Sequence, residues 1–205
     1  DVGATWFLPR MPGELGAFCA VTGERLGSAD AVSSGIATHR LGSADIPHLV
    51  DALCDATSVD QALAHARPQE AGPITSRRAV IDRTFAADKI ETILANLDRE
   101  AKTGQPDAQW AEATAATIRS RSPTSVKLAL AQVRWGRERS FAECMRAEFR
   151  IVSRIVHDHD FYEGVRALII DKDNQPRWRP ATLAEVTDKD IERHFLPVEH
   201  ELQLP

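Results

Sequence analysis

Only three cysteines, two methionines and one tyrosine occur among the 205 residues, and aromatic side chains make up 6%. Cys19, Cys54 and Cys144 are odd in number and widely spaced, which fits neither a disulfide framework nor a thiolate zinc site. A reducing, intracellular compartment is the simple setting for such thiols. No run of about 18 apolar residues exists, so no membrane span is expected, and no signal-peptide pattern is found. Positive charge is also in short supply. Lys and Arg number 25 against 30 Asp and Glu, and the formal net charge of −5 disfavours nucleic acid or an anionic membrane as partner. Self-contained catalytic motifs are missing too, with no G-x-S-x-G elbow, no Walker phosphate loop and no G-x-G-x-x-G turn. There is no initiator methionine, and Asp1-Val2-Gly3-Ala4-Thr5-Trp6-Phe7-Leu8-Pro9 reads like the inside of a folded domain. The expectation is a fragment, or one piece of a cleaved chain.

What is present is an ordinary globular mixture, 43% apolar and 27% charged, and helix signals dominate it. Pro12 near a first turn and Gly23 past the last predict a short helix between them. Ser28 is placed to cap Ala29 to Ser34, with Gly35 as the stop. Helices are further expected at Ile46 to Ala56, Val59 to Ala66, Arg77 to Thr84, Asp88 to Ala101, Asp107 to Arg121 and Asp160 to Ile170, with a short one at Asp188 to Phe195. Arg67 to Ser76, with two prolines and a glycine, reads as a loop. Ser122-Pro123 is a helix-start signal for a segment running to Trp135. Ser140 and Glu143 form a capping box. The helix it opens has apolar residues at 141, 145, 149, 152, 155 and 156, a 3.6-residue period that predicts a buried stripe including Phe141 and Phe149. Ile36 to Leu41 is the one segment read as a strand. A lone strand is not stable by itself, so it would need partners outside this chain.

Few residues carry chemistry unaided. His157-Asp158-His159-Asp160 contains metal-ligand types, but positions two apart diverge on a helix, so no metal site is expected. Lys172, Arg177 and Arg179 surround Trp178. They could contact phosphate and adenine, although a surface turn with its tryptophan tucked against the core explains each residue taken alone. Cys144 lies beside an apolar stripe and reads as inert packing rather than as a nucleophile. Asp1, on its own, reads as a turn residue.

The segments taken together resemble a known family. Asp1 to Arg10 is similar to the stretch after the active-site turn of 3-hydroxyisobutyryl-CoA hydrolases. Leu15-Gly16-Ala17, Val21-Thr22-Gly23, Ala29-Asp30-Ala31 and Gly35-Ile36-Ala37-Thr38-His39 resemble the general pattern of the crotonase superfamily. Ser122-Pro123-Thr124-Ser125, Ala147-Glu148-Phe149-Arg150, His159 to Ala167 and above all Ile170 to Ala181 resemble the hydrolase branch. The likeness is weakest from about residue 43 to 105.

This resemblance implies an α/β crotonase spiral fold (ClpP-like) overall, of which this chain would be the mostly α-helical C-terminal portion with about one strand. It implies three segments: the end of the crotonase core at 1–42, a helical insert at 43–121 and a C-terminal helical region at 122–205. The implied activity is hydrolysis of an acyl-CoA thioester, 3-hydroxyisobutyryl-CoA in valine catabolism, with CoA entering as part of the substrate and no separate cofactor. Asp1 takes the position of a family carboxylate that binds the substrate hydroxyl, relays a proton or tunes a second carboxylate. That second carboxylate, a Glu, and the oxyanion-hole donors would lie upstream, so the isolated chain is expected to be inactive. Lys172 is the implied CoA contact, displaced by one residue from the family register counted from Glu163-Gly164. A homo-oligomer is compatible with the family. The compartment would be the cytoplasm in a bacterium or the mitochondrial matrix in a eukaryote. Two alternatives remain: a hydratase or dienoyl-CoA isomerase of the same superfamily, and a non-catalytic helical subunit.

Overall fold

The computed structural model describes residues 2–64 and 71–204. Asp1 and residues 65–70, which include the end of the helix expected at Val59 to Ala66 and the start of the following loop, lie outside them. The α-helices, in chain order, are α1 (Ala4–Phe7), α2 (Leu15–Thr22), α3 (Ser28–Ser33), α4 (Ile46–Asp55), α5 (Val59–Ala62), α6 (Arg78–Phe85), α7 (Ile90–Ala101), α8 (Ala108–Ser120), α9 (Pro123–Gly136), α10 (Phe141–Ile155), α11 (His159–Val165) and α12 (Asp188–Glu192). None of the described residues is in a strand. The segment expected to be one, Ile36 to Leu41, instead folds back on α3: the Ala31 carbonyl accepts from the N–H of both Ile36 and Ala37 at 2.9 Å. Gly35, at φ 79°, makes this reversal. With no neighbouring ladder to satisfy its backbone, local helix-end bonding wins over extended chain.

Local capping chemistry explains most boundaries. The Ser122 hydroxyl accepts from Ser125 N–H at 3.2 Å and Pro123 opens α9. The capping box of α10 is complete, with Ser140 N–H donating to Glu143 at 2.9 Å and Glu143 N–H donating to the Ser140 hydroxyl at 3.3 Å. Gly23, left-handed at φ 71°, ends α2. At α3 the cap is Gly27, and Ser28 is already the first helical residue rather than the cap.

The chain separates into two compact units, residues 1–24 with 80–205, and residues 25–79. The stretch read from sequence as an insert is divided between them, 43–79 in the second unit and 80–121 in the first. In the larger unit α7 buries Ile90, Ile93, Leu94 and Leu97 against α8, whose buried face is Ala111, Thr114, Ala115 and Ile118. Small side chains on α8 let the two axes approach closely. Leu15, Phe18 and Val21 of α2 pack on α9, which buries Val126, Leu130 and Val133. Phe18 meets Phe85 edge-to-face at 5.4 Å. A second cluster joins Leu128, Ile151, Val186 and Ile191.

The α10 helix corrects one expectation. Phe141 is 55% exposed and Val152 37%, whereas the buried face is Cys144, Ala147, Glu148 and Ile151. Of the apolar positions read from sequence, Ile155 packs on the cluster of Leu128 and Ile151 and Met145, Phe149 and Val156 are half-buried, whereas Phe141 and Val152, with Trp6 and Phe7, leave apolar surface exposed.

In the smaller unit the buried Asp30 of α3 is the organising group. Its Oδ1 accepts from Ile74 N–H at 3.0 Å, Thr75 N–H at 2.8 Å and the Thr75 hydroxyl at 3.0 Å. Among the described residues no helix is long and apolar enough to cross a membrane.

Candidate active site

The segment that follows Asp1 is held from several directions. Val2 (φ 52°) and Gly3 (φ 91°) are successive left-handed residues, a conformation that is costly for a β-branched side chain. They lead into the four-residue helix α1. The first N–H groups of any helix lack partners within it. Here they are met by a carboxylate distant in sequence. Glu148, in the middle of α10 and 5% exposed, accepts from Gly3 N–H at 2.9 Å through Oε2 and from Thr5 N–H at 2.8 Å through Oε1. The Thr5 hydroxyl accepts from Gln132 of α9, and the Cys144 thiol lies 3.7 Å from the Thr5 carbonyl. Gly136 allows this approach, because a Cβ there would stand 2.0 Å from the Thr5 carbonyl oxygen. Further along, Arg10 stacks over Trp6 at 4.5 Å and donates to the Arg139 carbonyl at 2.9 Å.

Cys144, read as inert packing, is fully buried, and burial pushes its thiol pKa up. Thiolate fraction and access control reactivity. With an aromatic disulfide reagent, exposed Cys54 is expected to react rapidly and Cys144 only after unfolding. Cys54→Ser should remove the rapid phase.

A cleft of about 980 Å³ opens between the C-terminal end of α2, the start of α9, α11, the Trp178–Pro180 run and α12. Its wall is braced by the acidic residues of the 157–160 run. Asp160 accepts from the Ser122 hydroxyl at 2.6 Å and from Arg179 N–H at 2.8 Å. Asp158 pairs with Arg193 at 3.2 Å and lies 3.4 Å from Nε2 of buried His194. Trp178 is tucked in, its indole N–H donating to the Ser120 carbonyl at 3.0 Å.

Lys172 is separated from Glu163-Gly164 by a π turn at Arg166–Ile170. Asp171 N–H reaches the Arg166 carbonyl at 2.8 Å, a bond spanning five residues rather than four. Lys172 follows in the left-handed region at φ 56°. A single π turn accommodates one residue more than an α turn. Arg166 holds the turn with ion pairs to Glu163 at 2.8 Å, Asp171 at 2.6 Å and Asp173 at 2.7 Å. Its guanidinium, with the Arg177 N–H, keeps the Glu163 carboxyl at about 2. The next residues, Leu168, Ile169 and Ile170, are 62–69% exposed.

The Enoyl-CoA hydratase/isomerase family model matches residues 1–195. The chain belongs to this family. Its relatives include 3-hydroxyisobutyryl-CoA hydrolase 1 of Arabidopsis thaliana, 36% identical over 100% of this chain and 57% of that protein. The mitochondrial 3-hydroxyisobutyryl-CoA hydrolase of Homo sapiens is 34% identical over 95% of this chain and 52% of its own length. A crystal structure of a carnitinyl-CoA dehydratase from Mycobacterium thermoresistibile superposes with a TM-score of 0.88 at 36% identity, covering 99% of this chain and 57% of that one. An enoyl-CoA hydratase from Rhodobacter sphaeroides gives 0.77 at 32%, covering 97% and 56%. The chain thus spans about half the length of the relatives it matches. The crotonase fold class and the resemblance to 3-hydroxyisobutyryl-CoA hydrolases stand, with no strand among the described residues in place of the one expected.

The clamp of Glu148, Gln132 and Gly136 on the 3–5 segment went unread in the sequence. The one available signal was the phase of Glu148, which shares a helix face with Cys144 and Ile151.

Proposed function

We propose that this chain is the helical half of an acyl-CoA thioester hydrolase that converts 3-hydroxyisobutyryl-CoA to 3-hydroxyisobutyrate and CoA, a step of valine catabolism. The observation that carries this reading is the match to 3-hydroxyisobutyryl-CoA hydrolases along 95–100% of the chain. Attack on a thioester builds negative charge on the carbonyl oxygen, and fixed N–H donors there stabilise it by several kcal/mol. An upstream crotonase half would supply those donors and a Glu, and this chain would supply Asp1. Two neighbouring carboxyls raise the pKa of one of them, which lets it act as an acid while the other stays ionised. CoA enters with the substrate, and the proposed chemistry uses no other cofactor.

Two features of the structure favour a partner half and a CoA contact. Exposed Phe141 and Val152 of α10, with Trp6 against Phe141 and with Phe7, are the kind of surface that a domain core covers, and the upstream half is its proposed occupant. Lys172 is proposed to contact CoA from its exposed position just past the π turn. In a eukaryote the mitochondrial matrix is the proposed compartment, in keeping with the mitochondrial hydrolases of Danio rerio and Homo sapiens.

The competing reading is hydration, since two similar solved structures are a dehydratase and a hydratase. The deciding experiment joins the chain to an upstream crotonase half and offers 3-hydroxyisobutyryl-CoA and, separately, a 2-enoyl-CoA. Thiol release from the first supports hydrolysis. Loss of enoyl absorbance without thiol release moves the protein to the hydratase branch.

A further inference from the structure

We infer that Arg166 is a positioning residue for Lys172, an inference that rests on the proposed contact between Lys172 and CoA. Lys172 stands between two carboxylates, Asp171 and Asp173. Acids this close compete for an ammonium group with any ligand, because opposite charges attract strongly at short range. Here both are turned to Arg166 instead. Its Nη1 donates to Asp171 Oδ2 at 2.6 Å and to Asp173 Oδ2 at 2.7 Å. The other oxygen of Asp173 accepts from Gln175 N–H at 2.8 Å. The Lys172 side chain is exposed and has no hydrogen bond or ion pair among the described residues.

The main chain on both sides of Lys172 is fixed as well. Asp171 N–H donates to the Arg166 carbonyl at 2.8 Å, and Asn174 N–H to the Ala167 carbonyl at 3.1 Å. Arg166 Nη2 donates to the Gln175 carbonyl at 3.1 Å. Lys172 (φ 56°) and Asn174 (φ 55°) are both left-handed, a state that residues other than glycine keep only where their surroundings over-determine it. Arg166 is itself anchored. Glu163 accepts from its Nε at 3.0 Å and its Nη2 at 2.8 Å, a two-pronged pair. Glu163 also accepts from Arg177 N–H at 2.7 Å, so both ends of the 171–177 segment hang on one ion pair. Exposed ion pairs add little stability each. What this set yields is an unpaired ammonium on a fixed piece of main chain, with its nearest carboxylates already occupied. An anionic group such as a phosphate of CoA fits that arrangement. Arg166 touches no ligand atom in this scheme and acts through Lys172.

The test uses the enzyme assembled from the chain and its upstream half, and compares Arg166→Gln, Arg166→Lys, Lys172→Met and the double variant Arg166→Gln/Lys172→Met. Each is offered 3-hydroxyisobutyryl-CoA and the N-acetylcysteamine thioester of the same acid, which carries no phosphate. Arg166→Gln frees Asp171 and Asp173 to pair with Lys172. It is therefore expected to raise KM for the CoA substrate by about 3- to 10-fold with kcat little changed, the scale of one lost charge-assisted contact at an exposed site. KM for the phosphate-free thioester should stay at the parent value. Arg166→Lys keeps the charge but lacks the fork that holds several carboxylates at once, and should lie between Arg166→Gln and the parent. On the Lys172→Met background, Arg166→Gln should add little, since coupled groups are non-additive. An equal KM rise for both thioesters, multiplicative losses in the double variant, or an unchanged KM in Arg166→Gln would overturn the inference. So would failure of both Arg166 variants to fold, which would make Arg166 a stability group. A Lys172→Met enzyme with the parent KM would remove the CoA contact of Lys172 itself, whatever the Arg166 variants do.

Discussion

Asp1→Asn in the assembled enzyme is expected to lower kcat for thiol release by about 10²- to 10⁴-fold, the range that general acid–base catalysis contributes. Asparagine keeps the size and hydrogen-bonding reach of the carboxylate but can neither take up a proton nor hold a negative charge. The turn behind it should be untouched, because the bonds of Gly3 and Thr5 to Glu148 do not involve the Asp1 side chain. Substrate binding should accordingly change much less than turnover. A variant whose KM rises while kcat holds would give Asp1 a binding role toward the substrate hydroxyl instead. Steady-state thiol release against 3-hydroxyisobutyryl-CoA separates the two.

The largest stability effect is expected at Phe85→Ala. Phe85 is fully buried, packs edge-to-face on Phe18, and its carbonyl accepts from Arg134 at 2.6 Å. Truncating a buried Phe costs about 3–5 kcal/mol through lost transfer energy and the cavity left behind. Arg134 also donates to the Ala87 carbonyl at 3.0 Å and pairs with Glu14. It therefore ties α9 to the α6–α7 junction and to the start of α2, and the cavity would open beneath this tie. Thermal unfolding followed by circular dichroism should show a Tm lower by on the order of 10 °C. A fall of only a degree or two would mean that the neighbours close over the gap.

The helices that sequence reading found best are those announced by local chemistry. Ser122-Pro123 and the Ser140–Glu143 box place their own hydrogen bonds within three residues, so sequence alone specifies them. Non-local structure was invisible to it. The α1 helix has no cap of its own, and its anchoring carboxylate lies on α10. The expected strand at Ile36 to Leu41 failed because strands need a partner, and the N–H groups there found the end of α3 instead. On α10 the apolar period was real and its Ile155 packs on the core, but the buried residues are Cys144, Ala147, Glu148 and Ile151, an acid among them. The candidate site was legible as a stretch resembling a family. Its supports, Glu148, Gln132 and Gly136, were not, because each acts on the 3–5 segment across more than 120 residues, Glu148 and Gly136 on main-chain atoms and Gln132 on the Thr5 hydroxyl.

The π turn at Arg166–Ile170 has a consequence for how such chains are compared. A residue inserted into a helix can be absorbed by widening one turn, so that everything beyond it keeps its place in space. Aligned letter by letter, two proteins built this way show a gap and an apparent loss of the basic residue that follows. Superposed, they carry the same side chain at the same corner. For Lys172 a residue count from Glu163-Gly164 therefore has to be read together with the π turn that lies between them.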